Sequence, residues 1–222
     1  MTCCGARCEA AAQHFGAAVA ERDRDRYQRH GLDKRGRFLL EGLAHAGLDG
    51  QSVLDIGSGV GAITFELLKR GARAATLADA SSAYLDIAAQ IAATLGLRDR
   101  IQIARGDFVD TAQSLEISDV VVLDRAVCCY RDAPTLLVTA ASRCRRVLGL
   151  TYPRRRPHSR LLIAFENLRR RLSNNPFRAF VHDPALMEST LGKCGLRRVS
   201  RTGTFFWVVE VYRRDRSPAD RR

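Results

Sequence analysis

The chain has 222 residues, of which 46% are hydrophobic and 27% charged, and this suits one sizeable domain or one domain with a small lid. The formal net charge of +12 comes almost wholly from arginine. This charge indicates either a solvated basic surface or a surface that attracts an anion, namely nucleic acid, an acidic lipid surface or a carboxylated substrate. No apolar run approaches the roughly 20 residues that span a bilayer and no secretion signal is visible, so we expect no membrane span and a cytoplasmic location.

Residues 1–47 are predicted to form a helical cap in front of the main domain. Cys3, Cys4 and Cys8 lie near the start, but no matching pair of ligands follows to complete a tetrahedral zinc shell. We therefore expect no metal site and a disordered start. Two helices are predicted next, AAQHFGAAVAERDRDRYQRH and KRGRFLLEGLAHAG, and the second has apolar residues on one face.

The segment that begins at Val53, VLDIGSGVGAITFELL, reads as a strand, a glycine turn and a helix. Val53, Leu54 and Ile56 are strand formers, and apolar residues continue at helical spacing after the glycines. Such a turn brings bare backbone against a ligand, and several cofactors use nearly the same turn.

Strands and helices alternate beyond this turn. The predicted strands are AATLAD, RIQIARGDF, DVVVLD and RVLGLTYP, and a hairpin that turns at Gly203 closes the series. We predict a Rossmann-like, doubly wound α/β sheet of seven strands, five parallel and two in a terminal antiparallel hairpin. The main domain is expected to cover residues 48–212, with a lid over the substrate at 154–182 and a disordered basic tail at 213–222.

The turn residues alone leave the ligand open. Read as G-x-G-x-x-A, the turn would suit a dinucleotide, with Asp79 on the ribose. Asp55, two positions before Gly57, discriminates between the ligands because it ends the strand beside the cleft. A carboxylate there would repel a pyrophosphate and attract a ligand that carries an ammonium and a sulfonium.

The D-x-G-x-G-x-G pattern, the acidic end of the second strand, GDF and LDR together resemble class I S-adenosylmethionine (SAM) dependent methyltransferases over about residues 26–212. The resemblance implies SAM as cofactor, with the methionine end at Asp55, the ribose at Asp79 and the adenine between Asp107 and Phe108. The complete cofactor set that it implies is Tyr27, Asp55, Gly57, Ser58, Gly59, Gly61, Asp79, Ala80, Asp107, Phe108 and Asp124.

The loop LDRAVCCYRDAP resembles the corresponding loop of magnesium-protoporphyrin O-methyltransferases, which tend to carry a His-Tyr pair there. Tyr130 matches the tyrosine, and Cys129 stands where that group has histidine. We take Tyr130, Cys129 and His182 as the catalytic candidates, while Cys128 and Cys129 are either reactive or buried inert thiols. The group's acceptor is a propionate, which Arg125 or Arg178 could steer.

The expected function is methyl transfer from SAM to a small acceptor, anionic or aromatic, such as a carboxylate or hydroxyl of a tetrapyrrole or secondary metabolite. A nucleic-acid methyltransferase is the first alternative, and it is not favoured because no aromatic residues interleave with the basic runs. A non-catalytic SAM-binding protein and a nicotinamide-dependent enzyme are the others. The sequence leaves the oligomeric state open.

Overall fold

A seven-stranded sheet forms the centre of the computed structural model, which describes residues 6–45 and 47–215. The strands are β1 (Ser52–Ile56), β2 (Ala74–Asp79), β3 (Ile101–Arg105), β4 (Ser118–Leu123), β5 (Cys144–Pro153), β6 (Leu196–Gly203) and β7 (Trp207–Arg214). Their order across the sheet is β3-β2-β1-β4-β5-β7-β6, with β1 to β5 parallel and β7 antiparallel to both β5 and β6. The predicted Rossmann-like sheet with a terminal antiparallel hairpin is therefore confirmed.

Helices cover both faces of this sheet. They are α1 (Ala6–His14), α2 (Ala17–His30), α3 (Lys34–Ala44), α4 (Ala62–Lys69), α5 (Ser82–Thr94), α6 (Phe108–Thr111), α7 (Ala133–Ser142), α8 (Pro157–Leu172) and α9 (Pro184–Lys193). Among the described residues, none of these helices is long and apolar enough to cross a membrane.

Two apolar cores lie on opposite faces of the sheet. Successive β1 residues divide between them, so Val53 packs in the core with α3, α4 and α5, and Leu54 packs in the core with α7 and α9. Every residue of β4 is buried, as expected for a central parallel strand covered on both faces.

Helix α3 packs directly against the sheet, and two glycines make room for this contact because they carry no side chain. A Cβ atom on Gly149 of β5 would lie 2.8 Å from side-chain atoms of both Leu39 and Leu43. A Cβ atom on Gly42 would lie 2.8 Å from Val211 of β7. The cap segment is thereby fixed against the part of the sheet next to the cavity described below.

The N-terminal cap contains three helices where two were predicted. The break falls at Phe15 and Gly16, and Gly16 takes up extended backbone at the start of α2. Phe15 turns its ring toward Tyr84 of α5, at a centroid distance of 5.6 Å. The prediction of one continuous helix over this segment was wrong because helical periodicity does not reveal a residue that packs across the bend.

Residues 154–182, predicted as a lid and called the lid below, contain α8 followed by an irregular segment. Asn167 of α8 holds that segment, since its side chain donates to the carbonyl of Ala179 at 2.7 Å and accepts from the Ala179 amide at 2.9 Å. The Phe180 amide donates to the carbonyl of Cys128 at 2.8 Å. Residues 176–182 form neither helix nor strand.

The chain ends differ from expectation in one respect. The tail was predicted to begin at residue 213, whereas Arg213 and Arg214 pair in β7. Residues 216–222 lie outside the described part of the chain, as do Cys3 and Cys4, and Cys8 belongs to α1.

Candidate functional site

A cavity lies at the carboxyl ends of the parallel strands. Neighbouring strands β1 and β4 have their crossovers on opposite faces of the sheet, and such a switch point is where open α/β sheets bind ligands. The larger part of the cavity has a volume of about 580 Å³, and a smaller part of about 90 Å³ shares its walls at Gly57 and Gly59. Cavities of this total size accommodate small-molecule ligands.

Asp55 is a buried carboxylate at the end of β1, on the wall of the smaller part. Its Oδ2 accepts a hydrogen bond of 2.7 Å from the Thr64 hydroxyl, and its Oδ1 is buried without a hydrogen-bond partner among the described residues. Burial raises the pKa of Asp55 to about 7, and the charges of Asp124 and Asp79 add to this. The unpaired oxygen is therefore suited to a cationic or hydrogen-bond-donating ligand.

The glycine turn carries positive backbone angles that other residues avoid. Gly57, Gly59 and Gly61 have φ values of 68°, 55° and 79°. A Cβ atom on Gly57 would lie 2.8 Å from the side chain of Ala126, so the turn presents bare backbone at the cavity by steric necessity. The Ser58 hydroxyl in the same turn is buried without a partner among the described residues.

Asp79, the last residue of β2, anchors the glycine turn. Its Oδ2 accepts from the Gly59 amide at 2.9 Å, and its Oδ1 accepts from the Ser81 amide at 2.8 Å. Burial raises the pKa of this carboxyl, and these amide bonds oppose the shift. Asp79 and Ala80 both line the cavity, and each Asp79 oxygen keeps a lone pair for a ligand hydroxyl.

Asp107 and Tyr130 bind each other. The Tyr130 hydroxyl donates a short hydrogen bond to Asp107 Oδ1, which also accepts from the Val109 amide at the start of α6. Phe108 and Tyr130 line the cavity, whereas Asp107 lies behind them. The pair joins the loop after β3 to the loop after β4, and this fixes one wall of the cavity.

Asp124 follows β4 and is paired with a buried arginine. Its Oδ1 accepts from Arg35 and, at 2.7 Å, from the Thr151 hydroxyl. Arg35 also bonds Asp33 and lies 5.3 Å from the ring centroid of Trp207. The Asp124 carboxylate lines the cavity, and its bond to Arg35 holds α3 against the sheet. Sequence reasoning missed Arg35, which appears as one of many arginines.

Tyr27 comes from α2 and closes the smaller part of the cavity. Its hydroxyl donates to Glu66 Oε1 at 2.8 Å, and burial together with this carboxylate raises the pKa of Tyr27. Tyr27 and Asp55 therefore both line the smaller part of the cavity.

Cys128 and Cys129 lie on the wall of the larger part. Both thiols donate to the carbonyl of Arg125, at 3.2 Å and 3.4 Å. Hydrogen bonding from Cys129 and the charge of Arg125 lower the pKa of Cys128, while the same thiol–thiol bond and burial raise the pKa of Cys129. Cys129 is thus held protonated, which argues against a base at this position.

His182 does not reach the cavity. Its Nε2 lies 3.1 Å from the carbonyl oxygen of Val127, and burial lowers the pKa of its imidazole. The position supports a structural role and does not support the predicted catalytic role of His182. Arg178 is likewise directed to backbone, since its guanidinium bonds the carbonyls of Asn175 and Phe177. Arg125, the other predicted steering residue, does line the cavity.

The remaining walls come from parts of the chain that sequence reasoning did not assign to the site. His14 of α1 stacks on Phe177 of the lid at a centroid distance of 4.5 Å. Basic and aromatic side chains dominate these walls: Phe15, Arg22, Arg26, Arg169, Arg170 and Trp207. No spacing rule links these residues, because the fold alone brings α1, α2, the lid and β7 together.

Known protein families and solved structures resemble this chain in sequence or in fold. A family model described as a methyltransferase domain matches residues 53–149, the segment from the start of β1 to β5. No curated protein sequence matches the chain.

Solved structures of low sequence identity share the fold. A magnesium protoporphyrin IX methyltransferase from Synechocystis PCC 6803, crystallised with bound SAH, is 21% identical with a TM-score of 0.69 over 92% of this chain and 98% of its own. An O-methyltransferase family protein from Burkholderia thailandensis is 16% identical with a TM-score of 0.71 over 93% and 64%. An O-methyltransferase family 2 protein from Planctomyces limnophilus in complex with apigenin is 19% identical with a TM-score of 0.61 over 81% and 62%.

Proposed function

We propose that the chain transfers a methyl group from SAM to a small anionic acceptor with an aromatic or planar body, and the match of a methyltransferase-domain model to residues 53–149 and the shared fold support this. The observation that carries the proposal is Asp55, whose buried Oδ1 has no partner among the described residues and lies beside a turn of bare backbone. A buried carboxylate of this kind is stabilised by a cation.

The residues present fit SAM. Asp55 would hold the positively charged methionine end beside Gly57 and Ser58, and Asp79 would accept hydrogen bonds from the ribose hydroxyls while keeping its two amide donors. Phe108 and Ala80 offer apolar surface to the adenine. When bound, SAM supplies an electrophilic methyl group on a sulfonium.

The lining of the larger part supports an anionic, partly apolar acceptor. Arg22, Arg26 and Arg170 bring positive charge to this part, and Phe15, Tyr130 and Trp207 bring aromatic surface. A flat molecule with acidic groups at its edge would find both kinds of contact in this lining. The magnesium protoporphyrin IX methyltransferase acts on a molecule of this description, and a tetrapyrrole or an aromatic acid is the acceptor class we propose.

The chemistry required of the protein is alignment and exclusion of water. Methyl transfer is an in-line displacement, so the acceptor atom must lie close behind the methyl group. A carboxylate acceptor is already ionised at neutral pH and needs no base. The position of His182 off the cavity wall is consistent with such an acceptor. Tyr130, whose hydroxyl donates to Asp107, would offer its ring to orient the acceptor.

Calorimetric titration with SAM tests the cofactor site. We expect Asp55→Ala and Asp79→Ala each to weaken SAM binding by at least about tenfold, or roughly 1.4 kcal/mol. The exposed Asp99→Asn serves as a matched control and should bind SAM like the parent chain. Unchanged binding in both cavity variants, or binding of NAD in place of SAM, would overturn the assignment.

The acceptor is found by incubating the enzyme with isotope-labelled SAM and a metabolite extract, followed by mass spectrometry. Label in carboxylated aromatic compounds would support the proposal. Label in nucleic acid, with affinity that falls steeply as salt is added, would replace it by the alternative acceptor class. SAM binding without any labelled product would indicate a non-catalytic SAM-binding protein.

A further inference from the structure

Helix α8 presents large apolar side chains to solvent. Leu161, Leu162, Phe165, Leu168 and Leu172 are between 48% and 78% exposed. Four of them are spaced four, three and four residues apart, so they form one stripe along the helix. An apolar stripe of this length on a surface helix marks an interaction site.

The stripe faces away from the body of the protein. The opposite side of α8 carries the contacts to the rest of the chain: Ser159 is buried, and Asn167 bonds Ala179 of the lid. A surface helix normally buries its apolar side and exposes its polar side. Helix α8 does the reverse, so its apolar side lacks a covering surface among the described residues.

The apolar surface continues past the start of the helix. Phe205, in the turn between β6 and β7, is 74% exposed and stacks on His158 at a centroid distance of 4.5 Å. We call the continuous surface the α8 patch, and it comprises Leu161, Leu162, Phe165, Leu168, Leu172 and Phe205.

Positive charge borders the α8 patch. The exposed Arg156, Arg160 and Arg171 form no ion pair with any described residue, whereas Arg155 pairs with Asp183. Glu166 is the acidic residue of α8, and Arg169 and Arg170 already neutralise it. Two copies meeting through this patch would therefore set arginine against arginine, without a free carboxylate on the helix to compensate.

We propose that the α8 patch docks on the surface of an anionic lipid bilayer. The helix lies in the plane of the interface, with its leucines and Phe165 in the acyl boundary and the flanking guanidinium groups at the lipid phosphates. Apolar burial and attraction to anionic headgroups act together, and neither of the two suffices for firm attachment. This surface lies outside the cavity, and the proposal does not rest on methyl transfer.

Flotation of the full chain with phosphatidylcholine vesicles, with and without phosphatidylglycerol, tests the docking. We expect binding to the anionic vesicles that weakens as salt is added, and little binding to the neutral ones. Paired Leu161→Gln and Phe165→Gln changes should lower the bound fraction by about tenfold or more, because they remove two of the four apolar side chains of the stripe. Val138→Gln, at an exposed apolar residue of α7, is the matched control and should bind like the parent.

Two further variants separate docking from nonspecific charge attraction. Arg160→Glu with Arg171→Glu should also lower binding to anionic vesicles by about tenfold. A Phe165→Trp variant should gain fluorescence that brominated acyl chains quench, whereas the native Trp207, which lines the cavity, should not respond.

Equal binding to neutral and anionic vesicles, or undiminished binding by the paired apolar variant, would overturn the proposal. A chain that ignores vesicles but forms a dimer broken by Phe165→Gln would identify a second copy as the occupant. A chain that does neither would leave a protein partner as the occupant, and that result also refutes lipid docking.

Discussion

Asp55 combines two properties that normally exclude each other, since it is an acid and it is almost fully buried. Its pKa is raised to about 7, chiefly because burial disfavours the charged form. A raised pKa means that the folded state holds the proton more tightly than the unfolded state. The carboxyl therefore favours folding at acidic pH, and this contribution is lost as the pH rises through about 7.

Replacing Asp55 by asparagine should remove this pH dependence. Without ligand, we expect Asp55→Asn to be more stable than the parent near pH 8 by an amount on the order of a few kcal/mol, and to approach the parent near pH 4. Urea denaturation across this pH range measures the difference. The Asp99→Asn control should follow the parent at every pH, and a variant whose difference from the parent does not change with pH would contradict the burial argument.

Tyr130 and Cys129 are neighbours with different expected roles. The Tyr130 hydroxyl supports the Asp107 carboxylate behind the cavity wall, whereas the Cys129 thiol bonds a backbone carbonyl. We expect Tyr130→Phe to cost about 1–3 kcal/mol of unfolding free energy, as for hydrogen bonds to charged groups, and Cys129→Ser to cost less. Denaturation of Tyr130→Phe, of Asp107→Asn and of the double variant measures the coupling of the pair, and Cys129→Ser is measured beside them. Additive costs in the double variant would mean that the pair does not act together.

Single residues were predictable from sequence where the backbone itself restricts the choice. Gly57, Gly59 and Gly61 lie in one short stretch, and positive φ angles leave glycine as the natural residue. Asp55 and Asp79 were found from their positions at strand ends. The Arg35 partner of Asp124 was not found because 89 residues separate the two and its neighbours in sequence give no sign of burial.

At the scale of elements, helix α3 depends on the absence of side chains beneath it. Gly149→Ala would place a methyl group 2.8 Å from Leu39 and Leu43, two fully buried leucines of that helix. We expect the overpacking to cost about 1–3 kcal/mol. Gly192→Ala, in α9 where a Cβ meets nothing within 4 Å, should instead stabilise the protein by about 0.5–1 kcal/mol. Thermal unfolding of the two variants checks the opposite signs.

Elements were predicted well where one periodicity runs through the whole segment. Strand β2 was predicted with its observed bounds, Ala74–Asp79. The break between α1 and α2 was missed because contacts made by Phe15 with Tyr84 and Phe177 decide it. The outward apolar stripe of α8 was not predicted, since the sequence does not tell which side of a helix faces the body.

At the scale of the molecule, the strand order brings three carboxylates to one edge of the sheet. Asp55, Asp79 and Asp124 end or follow β1, β2 and β4, which are neighbours. The sequence predicted this convergence, because parallel strands deliver their carboxyl ends to the same edge. Except for Arg125, the arginines that line the larger part of the cavity were not predictable, since they come from the N-terminal cap and the lid.

The convergence makes binding of a cationic ligand dependent on pH. Protonation of Asp55 removes the charge that attracts the ligand, so we expect SAM affinity to fall as the pH decreases below about 7. The fall should approach about tenfold per pH unit. Titration calorimetry at several pH values measures it, with adenosine, which lacks the ammonium and the sulfonium, as the control ligand. If the affinities of SAM and adenosine changed with pH in the same way, Asp55 would not contact the positively charged end of SAM.

The ring stack between His14 and Phe177 joins the N-terminal cap to the lid across the top of the cavity. No backbone hydrogen bond between described residues crosses this stack, and the side-chain contacts that do, such as Asn175 Nδ2 at 3.1 Å from His14 Nδ1, can break while every helix stays intact. Opening of the cavity at this point would therefore leave the helices of both segments folded.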